Sequence, residues 1–521
     1  MPSPSEAAPG GHHRHGEQVM KRSTKKRSVK IGAFLLAATG WFGLDAAHAA
    51  GVLTYHNSPD RAGAYIVPGM TKAAAAGMHL DPAFHATVSG NVYAQPLYWQ
   101  PSADKTGLLI VATESNLVYA LNADTGAVVW QRQLPAPVPR SALPCGDIDP
   151  EGITGTPVID PATGTLYVDA QVLAPGNAPR HRIYAISLAT GQPLPQWPVD
   201  VQSQLRTRRI TFASNFQGER SALQFVGGKI YVAYAGRAGD CGKYHGTVIE
   251  ITPSSRTVTG VWRTRAVRGG IWAQGGVTSD GVSIFTTTGN TSGAASWGDG
   301  EGVIRLRPGL TRSASTQDNY APANWSDLDA HDRDLGGTAA IPFTVPVSPS
   351  GTAQRVLALG KDGYAYLLDG ANLGGIGNEL AKLQVSSSRI VTAPAVYRTA
   401  TATLVAVTNN STVTPDCSGG NLMVLSITSD PATPITPLWC SLLSGSGSPI
   451  LTTSNGAGNA IFWVVGAQGD NLLHGFDALT GQVVFAGTGS ALTGLHRFGT
   501  LIAANRHLYV AADGTVYAFT F

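Results

Sequence analysis

The sequence predicts an all-β chain: an eight-bladed β-propeller of four-stranded antiparallel blades, closed by an N-terminal strand that completes the last blade. Three observations carry this expectation. The phrase GLLIVATESNLVYALNADTGAVVWQRQ at 107–133 returns at 164–191, 229–262, 355–369, 462–485 and 507–519. A strand-rich unit recurring every roughly 40–55 residues marks a propeller or solenoid and overrides any domain count taken from length. The composition, with 62 Gly, 32 Pro and 13% charged residues, suits a turn-dense β protein. Finally, the last repeat ends on TVYAFTF, one strand short of the others.

Taken in order, apolar or alternating runs punctuated by Gly, Asp and Asn turns place eight blades. They are expected at 91–135, 152–201, 219–265, 272–318, 336–386, 390–443, 447–489 and 495–521. The strand missing from the eighth is assigned to AFHATV at 83–88, because a blade shared between the two termini removes a free sheet edge. The segment 55–70 would then wrap along one face, with TYHN (54–57) reaching the mouth of the channel. Trp130, Trp197, Trp262 and Trp439 close outer strands and are read as packing between blades.

Residues 1–49 read as a secretory signal peptide. Lys21, Arg22, Lys25, Lys26, Arg27 and Lys30 precede the apolar run 31–44, and Ala47-His48-Ala49 forms an A-x-A cleavage site. Met20 makes a better start than Met1. The domain reading is 1–49 signal peptide, 50–90 wrap and closing strand, and 91–521 propeller, in a periplasmic or secreted protein. The leader holds 7 of the 36 basic and 3 of the 33 acidic residues, which leaves 29 against 30 in the mature chain. That balance gives no reason to invoke nucleic acid, and no other apolar run is long enough to span a membrane. The four cysteines allow three pairings. Cys417 and Cys440 share one repeat and are paired, which leaves Cys145 with Cys241.

The run Val118-Tyr119-Ala120-Leu121-Asn122-Ala123-Asp124-Thr125-Gly126, followed by Trp130, resembles the repeat of the pyrroloquinoline quinone (PQQ) propeller family. The resemblance covers nearly all of the mature chain. Its whole-chain phrases, among them TYHN, VYAQPLY and KDGYAYLLD, are similar to a group of secreted PQQ-like proteins. The family includes PQQ-dependent alcohol dehydrogenases and also cofactor-free scaffolds, so fold alone does not assign function.

The dehydrogenase pattern implies a site. Gly269-Gly270-Ile271-Trp272 is similar to the segment that supplies a Trp floor for the quinone, and Thr288-Gly289-Asn290 to the one that supplies an Asn ligand to a divalent cation such as calcium. His331-Asp332-Arg333-Asp334 resembles the catalytic-base segment, with Asp334 the better fit and Asp332 the alternative. Lys361-Asp362-Gly363 resembles the quinone-contacting segment. A cation polarises the quinone carbonyl, and the base takes the alcohol proton. Three positions depart from the pattern. The Glu ligand falls at Cys241, with Asp240 beside it as the possible oxygen ligand. The expected Arg falls at Glu151, and the adjacent-cysteine roof is reduced to Cys145. Each residue also has a plainer role: Trp272 as packing, Asn290 as a turn residue, Asp332 and Asp334 as loop acids, Lys361 on a hairpin. His56, His245 and His331 with Asp240 do not show metal-motif spacing.

These readings lead to a quinoprotein-type oxidoreductase acting on an alcohol or sugar hydroxyl, with a small-molecule substrate and an electron acceptor. The alternatives are a non-catalytic propeller that binds a protein or glycan, and an enzyme that uses the axial site without PQQ.

Overall fold

The computed structural model describes residues 50–291, 293–313, 315–409, 417, 420–487 and 491–521. The expected signal peptide lies outside the described residues. Eight sheets follow one another around a ring. The first carries Leu97–Gln100, Leu108–Ala112, Leu117–Asn122 and Val128–Gln133 in sequence order, each antiparallel to the last. The pattern repeats in sheets starting at Val158, Gln217, Thr278, Ile341, Ala395, Ile450 and Leu501. The fourth blade runs past the expected boundary at 318. Its outer strand is Asn319–Ala321, joined in parallel by Gly375–Ile376 from the next blade.

The recurring Trp and Thr-Gly explain the repeat physically. In the first blade Trp130 donates its Nε1–H to the Leu188 carbonyl of the second, 2.9 Å away. Its ring lies against Gly191, where an added Cβ would meet ring carbons at 2.7 Å. Trp439 in the sixth blade repeats the arrangement, bonding the Ala478 carbonyl of the seventh at 3.0 Å and packing on Gly481. Both glycines have positive φ (67° and 72°), so the absence of a side chain serves the turn and the ring together. The core is divided accordingly: apolar clusters fill the gaps between neighbouring blades, such as Leu97, Ile110 and Val118 against Ile159, Leu166 and Val168.

Ring closure follows the expected plan. Ala86–Thr87 pairs with the last strand, Thr515–Thr520, and His79–Leu80 extends the pairing. There Gly126 packs on the His85 backbone instead of on a Trp, and His85 N donates to Thr125 O at 2.9 Å. The closing strand thus takes the place that outer-strand Trp residues hold elsewhere.

The segment before it goes further than a wrap. Ala50–Val52 pairs with the first strand of blade 1, and Ala64–Ile66 pairs in parallel with that of blade 7. Between them, backbone bonds join Leu53, Pro59 and Ala62 to Ile159, Ser279 and Val396 in three further blades. Arg61, fully buried, donates to the carbonyls of Gly275, Tyr55, Leu223 and Val277 and to Thr54 Oγ1. This segment plugs the ring from inside.

Candidate functional site

One cavity of about 280 Å³ gathers Asp240, Trp272, Asn290, Asp332, Asp334 and Lys361, together with Glu151. Its volume sits just under the range of roughly 300–1,000 Å³ typical of small-molecule sites. Two kinds of connection deliver these side chains. Asp240, Asn290 and Lys361 each follow the strand before a tight turn in three successive blades: Lys229–Gly236, Ile284–Thr288 and Thr352–Leu359. Trp272 and Asp334 come from the connections entering blades 4 and 5. A bond from Gly289 N to Gly270 O at 3.0 Å holds the Trp272 loop beside Asn290. Gly289 is required by close approach, because a Cβ there would lie 2.6 Å from that of Asp334. Asp240, Asn290 and Asp332 all adopt left-handed backbone (φ 45°, 57° and 54°), a conformation that clusters at functional sites.

Asp334 and Lys361 form the electrostatic centre. The Asp334 side chain is 1% exposed and lies 2.6 Å from Lys361 Nζ, an ion pair without hydrogen-bond alignment; its Oδ1 accepts from the Asn290 amide at 2.9 Å. Burial raises the Asp334 carboxyl above its ordinary range, and Lys361 opposes that rise. Asp332, 73% exposed, bonds the same ammonium at 2.8 Å. Burial works against the Lys361 charge, but the two aspartates outweigh it and hold the group protonated above its usual range. Lys361 Nζ also sits over Trp272, 5.0 Å from the ring centroid, within cation–π range. Before Asp334 in sequence, Glu301 is fully buried and accepts from the Leu335 amide at 2.8 Å; burial, then the Asp334 charge, raise its carboxyl well above the ordinary value.

Asn290 Nδ2 donates to Asp240 Oδ2 at 2.6 Å, and Tyr244 donates to Asp240 Oδ1 at 2.5 Å. Asn290 Oδ1 and Glu301 Oε1 are buried oxygens without partners. Hard cations take oxygen ligands at about 2.3–2.6 Å. The donor types here suit one, provided the Asn290–Asp240 contact opens and the amide turns. Cys241 cannot supply a thiolate, because it is bonded to Cys145 (Cα–Cα 6.1 Å); Cys417 pairs with Cys440 (Cα–Cα 5.7 Å). The Cys145–Cys241 bridge ties the loops that carry Gly146–Ile148 and Asp240, so it borders the cavity in place of a roof of adjacent cysteines.

Glu151 does not present a bare negative charge. Arg237, from blade 3, pairs with it in a buried ion pair and also donates to the carbonyls of Ser214 and Gln217. Nothing local in the sequence signals this partner 86 residues away. Arg389, which lines the cavity, makes no ion pair or hydrogen bond among the described residues. The three histidines stay apart. His56 is buried in the plug near Thr500 Oγ1 (3.3 Å), His245 bonds Thr264 O at 2.8 Å, and exposed His331 pairs with Asp327 at 3.0 Å. Among the described residues no three or more His, Cys, Asp or Glu side chains form a metal-holding group.

Eight blades around an axial cavity define the class: this is an eight-bladed β-propeller. Residues 79–241 match the family model described as outer membrane protein assembly factor BamB. No curated protein matches the sequence. Among solved structures, the fold is shared with quinohemoprotein alcohol dehydrogenase ADHIIG from Pseudomonas putida HK5 (TM-score 0.60, 12% identity, covering 90% of this chain and 80% of that one). It is shared also with quinohemoprotein alcohol dehydrogenase from Comamonas testosteroni (0.58, 14%, 90% and 80%). A europium-containing methanol dehydrogenase aligns at 0.59 and 14%, covering 89% of this chain and 90% of that one. At these identities the likeness concerns the fold. No helix among the described residues is long and apolar enough to cross a membrane.

Proposed function

We propose that the protein is an exported quinoprotein-type oxidoreductase that acts on an alcohol or sugar hydroxyl. The observation that carries this reading is the meeting of Trp272, Asn290, Asp334 and Lys361, from two blades, in one axial cavity. The two disulfides suit an oxidising compartment outside the cytoplasm, in keeping with the leader over 1–49.

In this reading Trp272 is the floor for PQQ. Lys361 would contact the quinone oxygens, Arg389 its carboxylates, and Asn290 with Asp240 would hold a divalent cation such as calcium. When bound, the group would supply a hydride acceptor and the cation its Lewis-acid polarisation. The chain's own residues supply the proton chemistry. Asp334, raised by burial, is a stronger base than a solvated carboxylate and takes the hydroxyl proton. Lys361 stays charged and keeps Asp334 ionisable. Asp332 is the exposed second partner of that ammonium. Glu151, neutralised by Arg237, does not repel an anionic cofactor.

A second reading, a non-catalytic propeller, draws on one observation. Lys361 sits over the Trp272 ring, so a flat ring stacking there competes with it. Titration of the intact mature chain with PQQ and calcium, followed by the quinone absorbance, decides between them. Saturable binding at micromolar PQQ that Trp272→Ala abolishes is the expected result. No binding at micromolar cofactor overturns the oxidoreductase reading.

A further inference from the structure

The axial cavity does not end at the cofactor lobe. Five of its lining residues, Asp147, Ile148, Arg220, Arg497 and Phe498, also line a second chamber of about 290 Å³ that reaches Tyr93, Gln274 and His496. The function proposed above has no use for these residues.

Their chemistry is specific. Phe498 carries two guanidiniums on its ring, Arg220 at 5.9 Å and Arg497 at 5.6 Å from the centroid. Two like charges beside one ring favour an anion next to them, and among the described residues only Asp147 pairs with either. The nearest carboxylate, Asp147, is 3.8 Å from Arg220 and half exposed, a pairing worth little in water. Among the described residues Arg497 has no ion pair or hydrogen bond. Asp513 is taken by His496 at 2.9 Å. The acids behind the wall compensate little: burial lifts Glu114 to about 8 and raises Glu219 well above its ordinary value, which favours the neutral form of both. Phe498 itself is held at φ 74°, a backbone that bulky residues adopt only where the surroundings enforce it.

Beside this cationic pair are flat faces and an unused acceptor. Tyr93 stacks on His496 with centroids 4.1 Å apart. Gln274 Oε1 is buried and has no donor. An unmet buried acceptor asks for a ligand hydroxyl, paired arginines ask for a carboxylate, and aromatic faces suit the apolar face of a pyranose ring.

We propose that this second chamber is a binding subsite for an acidic sugar, a pyranose bearing a carboxylate, placed so that its ring approaches the axial cavity from the Arg220–Arg497 side. Binding stands on the chamber alone; that the bound sugar is then oxidised rests on the function proposed above. Calorimetric titration of the cofactor-free mature chain with D-galacturonate and with D-galactose tests it. A charge-assisted pair contributes roughly 1.5–3 kcal/mol, so galacturonate is expected to bind at least about tenfold more tightly than galactose. That preference should shrink between about 0.15 M and 1 M salt as screening grows. Arg497→Gln, on an exposed side chain, should remove the preference and leave the melting temperature unchanged. Gln274→Ala should weaken both sugars. Equal affinity for the two sugars, no galacturonate binding, or an Arg497→Gln variant with the preference intact overturns the proposal. Galacturonate binding without PQQ binding overturns only the oxidoreductase reading; PQQ binding without galacturonate binding overturns only this one.

Discussion

Deleting the Lys361 ammonium while leaving Asp334 in place tests the electrostatics at the centre of the site. Burial already raises the Asp334 carboxyl above its ordinary value of 3.8, and Lys361, 2.6 Å away, is the group that opposes the rise. Lys361→Met keeps the apolar stem and removes the charge, which leaves the Asn290 amide as the remaining group opposing burial, so the Asp334 pKa climbs further. A carboxyl that holds its proton more tightly folded than unfolded makes stability fall as pH rises from the unfolded to the folded pKa, and then level off. In Lys361→Met that falling window extends to higher pH, at about 1.4 kcal/mol per unit of added shift. Breaking a buried pair costs about 3–5 kcal/mol when a charge is left unpaired. Here the loss is smaller, because Asp334 takes up a proton and Lys361 is 16% exposed. We expect about 2–3 kcal/mol at pH 8 and under about 1 kcal/mol at pH 5, from the lower end of that range. Urea unfolding of the wild type, Lys361→Met, Asp334→Asn and the double variant at both pH values measures this. The double variant should lose less than Lys361→Met alone. Additivity within about 0.5 kcal/mol, the behaviour of independent sites, or a pH-independent loss in Lys361→Met refutes the reasoning.

Other expectations follow from the scaffold. Arg61→Met strands four buried carbonyls; at roughly 1–3 kcal/mol for each unsatisfied group, less what the guanidinium's own burial costs, unfolding midpoints should drop by several kcal/mol. Protease cleavage between residues 53 and 63 should rise with it. Gly481→Ala puts a Cβ 2.8 Å from the Trp439 ring at φ 72°, and denaturant titration should show a loss of about 2 kcal/mol from strain and overpacking. Replacing Cys145 and Cys241 by Ser opens a closure spanning 96 residues, which should lower stability by about 2–5 kcal/mol; in the same variant PQQ affinity should fall, since both loops border the cavity.

The repeats were legible because each blade solves the same local problem. Short apolar strands and a Gly, Asp or Asn turn are written within one roughly 40–55-residue window, in some blades with a Trp seated on the next blade's Thr-Gly, so the recurring pattern announces eight blades. Ring closure was legible for the same reason: a missing outer strand at one terminus and a spare strand at the other. The alignment of Trp272, Asn290, Asp334 and Lys361 with one another was also readable, as an ordered set of non-repeating residues. Other features depend on contacts between blades that no window contains. Arg237 cancels Glu151 from 86 positions away. Arg61 bridges residues more than 150 positions distant and turns the expected wrap into a plug. Arg220 and Arg497 meet on Phe498 only because the ring brings its third and eighth blades to one axis. The sequence by itself determined the scaffold, because strand periodicity and turn chemistry act over a few residues. The tertiary structure alone decided which charges are buried, which are paired and which are left for a ligand, because those depend on distances across the axis.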